Sequence, residues 1–230
     1  MSAIVAGRRG RVPIVLGDAI IPDSVVDLES FRRWARSRTF PAHGWFSFLD
    51  GKLWVDQSME QLFSHNQVKT EFTVVLGGLV KANDPGYFFS DRTLFSNPSA
   101  CLATEPDGLF ISWASLQSGH VRLIEAKKDG FIEIEGTPDM VLEVVSRYSE
   151  HKDTKVLRDL YWRAGVSEYW LVDGRGETPR FDILRHGAKS YSATKRQRGW
   201  LKSTVFGCWF MLSRVTDRLG HPKYRLAVRS

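Results

Sequence analysis

The sequence predicts an α/β fold, a mixed central β-sheet flanked by helices, with an inserted hairpin and extra C-terminal strands. Three observations predict it. From Ser58 to about Asn83, apolar residues recur at three- and four-residue steps, the spacing of one helix face. Between Tyr87 and Ile134 the pattern changes to short, Phe-rich, alternating stretches. The segment Met140-Val141-Leu142-Glu143-Val144-Val145 is then almost continuously apolar and β-branched, as a strand covered on both faces should be.

Each element has its own signal. Asp27 can cap a short helix running to Arg36, in which Leu28, Phe31, Arg32 and Ala35 recur at helical spacing. Residues 45–49 and 52–55 flank Asp50-Gly51, the signal of a tight hairpin. The long amphipathic helix carries Met59, Leu62, Phe63, Phe72, Val75, Leu76, Leu79 and Val80, and Pro85-Gly86 ends it. Strands follow at residues 87–90, 93–95, 109–113, 121–126 and 131–134. The turn sequence Lys127-Lys128-Asp129-Gly130 makes the last two an inserted hairpin. Ser149 can cap a helix that buries Val156, Leu157, Leu160 and Tyr161 and stops at Gly165. Residues 168–173 form a second buried strand, and residues 181–184 and 205–206 read as strands closing the sheet edge. No repeat or low-complexity linker divides the chain: residues 21–230 read as one domain and residues 1–20 as a flexible N-terminal tail.

Composition narrows the function classes. A chain of 230 residues, 43% hydrophobic and 25% charged, can bury one sizeable core. No run reaches the ~18–20 uncharged apolar residues of a membrane-spanning helix, and the first 17 residues lack the apolar centre of a signal peptide, which predicts a cytoplasmic protein. Cys101 and Cys208 stand far apart without the clustered partners of a zinc site and read as small core residues. A net charge of +6 fits a polyanionic partner. The arginines read as spread through the chain, with short clusters at Arg8-Arg9-Gly10-Arg11, in the tail, and Lys195-Arg196-Gln197-Arg198, a solvated turn.

The candidate chemistry begins with Glu143. An ionised carboxylate inside a buried strand costs several kcal/mol unless something compensates it, and a cation would. Asp107, in Glu105-Pro106-Asp107 just ahead of the apolar stretch Leu109-Phe110-Ile111, is a second acid at a strand start. On neighbouring strands, ~5 Å apart, the two could share one ion. Asp107 also reads as a turn cap, His65 as an ordinary helix residue, and Asp153 as an acid favouring the positive end of its helix. Glu125-Ala126-Lys127 is a rival acid-and-lysine pair, but its turn context assigns it to the inserted hairpin. Asp139, in a second Pro-Asp, would lie ~13 Å from Glu143 along one strand, too far to share an ion.

The stretches Pro106-Asp107, Val141 to Ser146, Lys152-Asp153, Tyr161 to Val166 and Glu168 to Asp173 together resemble the Uma family of putative restriction endonucleases, within the PD-(D/E)XK nuclease superfamily. The likeness runs from about Asp27 to Val205 and includes His65. It implies a restriction-endonuclease-like core in which Asp107 and Glu143 bind magnesium or manganese, with the Val144 carbonyl as a further ligand and a lysine beside them. The implied activity is metal-dependent endonucleolytic hydrolysis of DNA, with His65 and Asp153 as accessory residues and a homodimer as an arrangement the superfamily allows. This sequence departs from the pattern at the lysine. Val145 stands where the superfamily signature has it, and Leu157 where the family has it on the following helix. Lys152 and Lys155 remain, and Lys155, inside the helix proper, is the expected catalytic lysine. The alternative implied by the missing lysine is an inactive nuclease-like domain that binds nucleic acid or protein.

Overall fold

The computed structural model describes residues 2–5, 13–16, 19–126 and 130–230. Strand β1 (Ser2–Val5) pairs with a later strand, and β2 (Ile14–Leu16) pairs with β3 (Ala19–Ile21), so the described part of the expected tail is extended and paired. The Arg8 to Arg11 cluster lies outside the described residues. Helix α1 (Leu28–Ala35) is capped by Asp27 as the sequence predicts; Ser30 answers it in a reciprocal capping box. Strands β4 (Trp45–Leu49) and β5 (Lys52–Asp56) form the expected hairpin, with Asp50 and Gly51 both at positive φ, the conformation of a type I′ turn.

The long helix starts later than its apolar pattern suggests. Residues 57–61 are not helical, and the Gln61 side chain caps a π-helical turn (Leu62–Gln67) that runs into α2 (Val68–Asn83). Met59 is therefore 95% exposed, outside the helix altogether. Strands β6 (Gly86–Ser90), β7 (Leu94–Asn97), β8 (Leu102–Thr104) and β9 (Gly108–Ser112) follow, then the short α3 (Trp113–Gln117), which takes Trp113 out of its expected strand. Asp139 accepts the Ser112 amide at 2.7 Å and the Ser115 hydroxyl at 2.9 Å, so the second Pro-Asp fastens this helix.

Strands β10 (Val121–Ala126) and β11 (Gly130–Gly136) pair as a hairpin whose tip, residues 127–129, lies outside the described residues. Strand β12 (Met140–Val144) leads to a second π-helical turn (Lys152–Leu157) continued by α4 (Arg158–Arg163). The expected Ser149 immediately precedes the helical residues, and its carbonyl accepts the Asp153 amide; it also exchanges hydrogen bonds with Ser146, whose Oγ accepts the Ser149 amide while Ser149 Oγ accepts the Ser146 amide. Gly165, at φ +80°, ends the helix as predicted. Strands β13 (Glu168–Asp173), β14 (Arg180–His186), β15 (Tyr191–Ala193), β16 (Leu201–Lys202), β17 (Trp209–Thr216) and β18 (Pro222–Arg229) complete the chain.

The central sheet has the order β15-β14-β13-β12-β9-β6, with β12 and β13 parallel and the other neighbours antiparallel. Alternation along β12 defines its two faces. Val141 joins a core with Leu109, Ile111, Leu160 and Tyr161, on the α4 side. Met140, Leu142 and Val144 join another with Phe110, Phe72, Leu76 and Phe210, beneath α2 and the C-terminal sheet β16-β17-β18. Helices thus flank the sheet on both faces, as expected. The inserted hairpin belongs to a larger, seven-stranded sheet of order β1-β5-β4-β8-β7-β11-β10. Buried Arg32 of α1 ties to it by reaching Glu133 at 2.5 Å and Glu135. Cys101 and Cys208 are both half-buried.

Residues 205–206 are not a strand, because the segment is held by a buried acid. Glu168, fully buried, accepts hydrogen bonds from Trp170 Nε1 (3.0 Å), Ser203 Oγ (2.7 Å) and both the amide and hydroxyl of Thr204. Replacing Glu168 with Ala strands these donors, and unfolding in urea is expected to show a loss of about 3–5 kcal/mol. Glu168→Gln, which keeps an acceptor, should lose less; equal losses would mean that the carboxylate does not organise the segment.

Candidate active site

Strand register brings the two predicted acids together. On β12 and β9, Leu142 pairs with Gly108 and Val141 with Leu109, so one further step sets Glu143 opposite Asp107. Both continue the face that carries Val141, Leu109 and Ile111. Residues opposed in this way have Cβ atoms about 5 Å apart. Asp107 is 9% exposed and Glu143 3%. Asp107 Oδ2 accepts the Val144 amide at 2.7 Å. Because the amide and carbonyl of one strand residue point to the same side, the Val144 carbonyl also faces the Asp107 edge. Glu143 Oε1 accepts the Tyr161 hydroxyl at 2.5 Å.

The helices add cations. The Lys152 side chain is 21% exposed, faces this pocket and lies 3.6 Å from Asp153 Oδ1. Burial works against its charge, but Asp153, Glu143 and Asp107 hold its pKa above the usual lysine value. Lys155 is exposed and lines a separate cleft with Arg158 and Lys189, so the structure does not bring it to the acids. The reason is helical phase: Lys155 lies on the solvent side with Asp159, while Asp153, Leu157, Leu160 and Tyr161 turn inward.

His65 and Asp153, the expected accessory residues, both line the pocket. His65 Nε2 stands 3.8 Å from Asp107 Oδ2 and Nδ1 3.7 Å from Glu60. Burial opposes the charge on His65, but the Glu60 and Asp107 carboxylates raise its pKa on balance. Asp153 is 1% exposed, and burial raises its pKa to about 6 although Lys152 pulls the other way. Burial also holds Glu143 well above the usual carboxylate range, with Lys152 offsetting part of the effect.

Two pocket residues, Glu60 and Glu105, and one neighbour of Asp107, Lys69, escaped the sequence reading. Lys69 is buried and reaches Asp91 at 3.1 Å, Asp107 Oδ1 at 3.6 Å and Glu60. Glu60 is pulled down to about 2, by His65 first and Lys69 next, with burial opposing. Glu105 is raised by burial, and its Oε2 has no hydrogen-bond partner. The four-residue step from His65 to Lys69 was the available signal, since it places both on one helix face. Glu125 is exposed on β10, in the other sheet.

The pocket lining counts six carboxylates, Asp56, Glu60, Glu105, Asp107, Glu143 and Asp153, against Lys152 and His65. Buried Asp153 Oδ1 and Glu105 Oε2 lack hydrogen-bond partners. This donor set fits a hard divalent cation held by oxygen. Among the described residues no three His, Cys, Asp or Glu side chains form a ready-made metal cluster. Asp107, Glu143 and the Val144 carbonyl are the residues that could hold such an ion, with water filling the rest.

These raised pKa values have a consequence for stability. Folded Asp153 and Glu143 bind protons more tightly than the unfolded chain, so their contribution is full below the ordinary carboxylate pKa. For Asp153 it is lost as pH rises from 3.8 through about 6. His65, also raised, acts in the same direction from 6.5 upward. In chelator, Tm should fall between about pH 5 and pH 8; a Tm that rises across this window would contradict the sign.

The family model of Uma2, described as putative restriction endonuclease, matches residues 28–210. The chain belongs to the Uma2 family. A crystal structure described as a putative nuclease belonging to DUF820, from Anabaena variabilis, superposes with a TM-score of 0.56 at 16% identity, covering 79% of this chain and 91% of that one. The Uma2 chain therefore has the restriction-endonuclease-like fold. No curated protein matches it. Among its described residues no helix is long and apolar enough to cross a membrane.

Proposed function

We propose that this Uma2 protein is a metal-dependent endonuclease that hydrolyses DNA phosphodiester bonds at the pocket of Asp107 and Glu143. The observation that carries the reading is the β12–β9 register, which opposes the two acids on one face beside Lys152. A bound magnesium or manganese ion supplies positive charge against the scissile phosphate and acidity to the attacking water. Asp107, Glu143 and the Val144 carbonyl would hold that ion, and the Val144 amide fixes the Asp107 carboxylate in place. Tyr161 orients Glu143 through its hydroxyl. Lys152, kept protonated by its carboxylate neighbours, stabilises the charge that develops on the phosphate. Lys69 and His65 hold the far side of Asp107. The case for an inactive domain is a missing lysine, and Lys152 in the pocket and Lys69 beside Asp107 weaken it.

The test is cleavage of supercoiled plasmid by purified protein in magnesium, manganese or chelator. Nicking is expected with either metal, none with chelator, and none in Asp107→Ala. Cleavage surviving both Asp107→Ala and Glu143→Ala would exclude this site, and no cleavage under any condition with DNA binding intact would favour the inactive domain.

A further inference from the structure

The charge of this chain is segregated. From Ile183 onward there are eleven Lys and Arg and one acid, Asp217, whereas the whole chain has 32 and 26. Residues 1–182 are therefore net negative, with 21 against 25, and the C-terminal segment carries all of the excess. Such asymmetry within one chain is the electrostatic footprint of a polyanion-binding surface.

The register of the C-terminal sheet shows where that charge goes. Phe210, Leu212, Tyr224, Leu226 and Val228 turn to the core. Lys202 pairs with Trp209, Trp209 with Arg229, Ser213 with Arg225 and Val215 with Lys223, so the other face presents Lys202, Lys223, Arg225 and Arg229, all exposed. None of the four makes a salt bridge among the described residues. Asp217 accepts amides of its own hairpin turn.

Two of these cations are held by rings instead of acids. The Arg229 guanidinium lies 4.5 Å from the Trp200 ring and 5.2 Å from the Trp209 ring, and Lys202 Nζ lies 5.7 Å from Trp209. An aromatic face restrains a cation without neutralising it. The turn of residues 195–200 packs on the same face, where Gly199 lies close to Met211, and adds exposed Lys195 and Arg198. The solvated cluster at this turn is thus continuous with the basic sheet. At the other end of the hairpin, His221 stacks on Phe63, two residues before His65 of the pocket.

We propose that the outer face of the β16-β17-β18 sheet, extended by the turn at residues 195–200, docks the phosphate backbone of double-stranded DNA. The proposal takes its ligand from the nuclease reading but concerns a surface separate from the acids. The Trp rings are engaged by Arg229 and Lys202, so the face grips backbone charge and does not stack on unpaired bases.

The experiment is fluorescence anisotropy of the full-length protein with a labelled duplex of about 30 base pairs in chelator, over a salt series. Lys223→Gln with Arg225→Gln, both free of packing roles, should weaken binding about tenfold and lower the slope of log Kd against log salt by about 2. Adding Lys202→Gln and Arg229→Gln should lower it by about 2 more. Unchanged affinity and slope in the folded double variant would overturn the proposal. So would absence of binding by the wild type, tighter binding to single strands, or binding to phosphatidylserine vesicles in preference to duplex. Asp107→Ala should lose cleavage and keep docking; docking without cleavage in the wild type would remove the nuclease reading and leave this surface standing.

Discussion

Glu143→Gln is expected to lower DNA cleavage by about three orders of magnitude or more, which corresponds to about 4 kcal/mol in the barrier, while leaving the protein at least as stable as the wild type. The two effects separate because the carboxylate does two different things. As the proposed metal ligand it needs its negative charge, which a neutral amide lacks. As a buried group it is a burden, pushed well above the usual carboxylate range by burial and supported through a short hydrogen bond from Tyr161. The amide oxygen of Gln can still accept that hydrogen bond, and no charge remains to be desolvated. Glu143→Ala should also abolish cleavage but cost about 1–3 kcal/mol, since it leaves the buried Tyr161 hydroxyl unpaired. Plasmid nicking rates and urea unfolding of the two variants check the pair. A Gln variant that is inactive because it is unfolded would refute the separation.

Lys152→Met is expected to cost about two to three orders of magnitude in cleavage, and Lys155→Met less than about twofold. The lysines stand three residues apart on one helical segment, yet only Lys152 is surrounded by Asp153, Glu143 and Asp107. Met keeps most of the aliphatic stem, so the comparison isolates the ammonium. Lys152 itself stays protonated well beyond neutral pH, but its removal lets the Glu143 and Asp153 pKa values rise further, so the rate should fall across pH 6–9 and fall most at the acidic end. If Lys155→Met were the damaging change, the assignment of the pocket lysine would be wrong. Lys69→Met should also impair cleavage, by releasing Asp107 and Glu60 from a shared partner.

Much of the candidate site was legible in the sequence because strands carry simple information. A lone acid in Met140 to Val145 has no apolar explanation, and an acid just ahead of Leu109-Phe110-Ile111 extends the same two-residue alternation. The lysine is harder to read, because its placement depends on helical phase. The choice of Lys155 over Lys152 rested on which residue sits inside a regular helix, whereas this segment opens with a π-helical turn that brings Lys152 and Asp153 to the pocket. The other π-helical turn carries His65, and such turns leave no mark on apolar periodicity. Glu60 and Glu105 were missed because they stand on irregular segments, where no spacing rule applies. The basic sheet escaped for another reason: its charges alternate with core residues across two strands, and only the pairing register gathers them on one face.

The pocket draws on stretches far apart in the chain, Trp45, residues 56–65, 105–107 and 143–153, joined by a β12–β9 pairing and by the return of β13 beside β12. Pairings between such distant segments form late in folding, after the loops between them have closed. A nascent or half-folded molecule therefore has no assembled pocket, and the proposed nuclease would gain its activity only on reaching the finished native state.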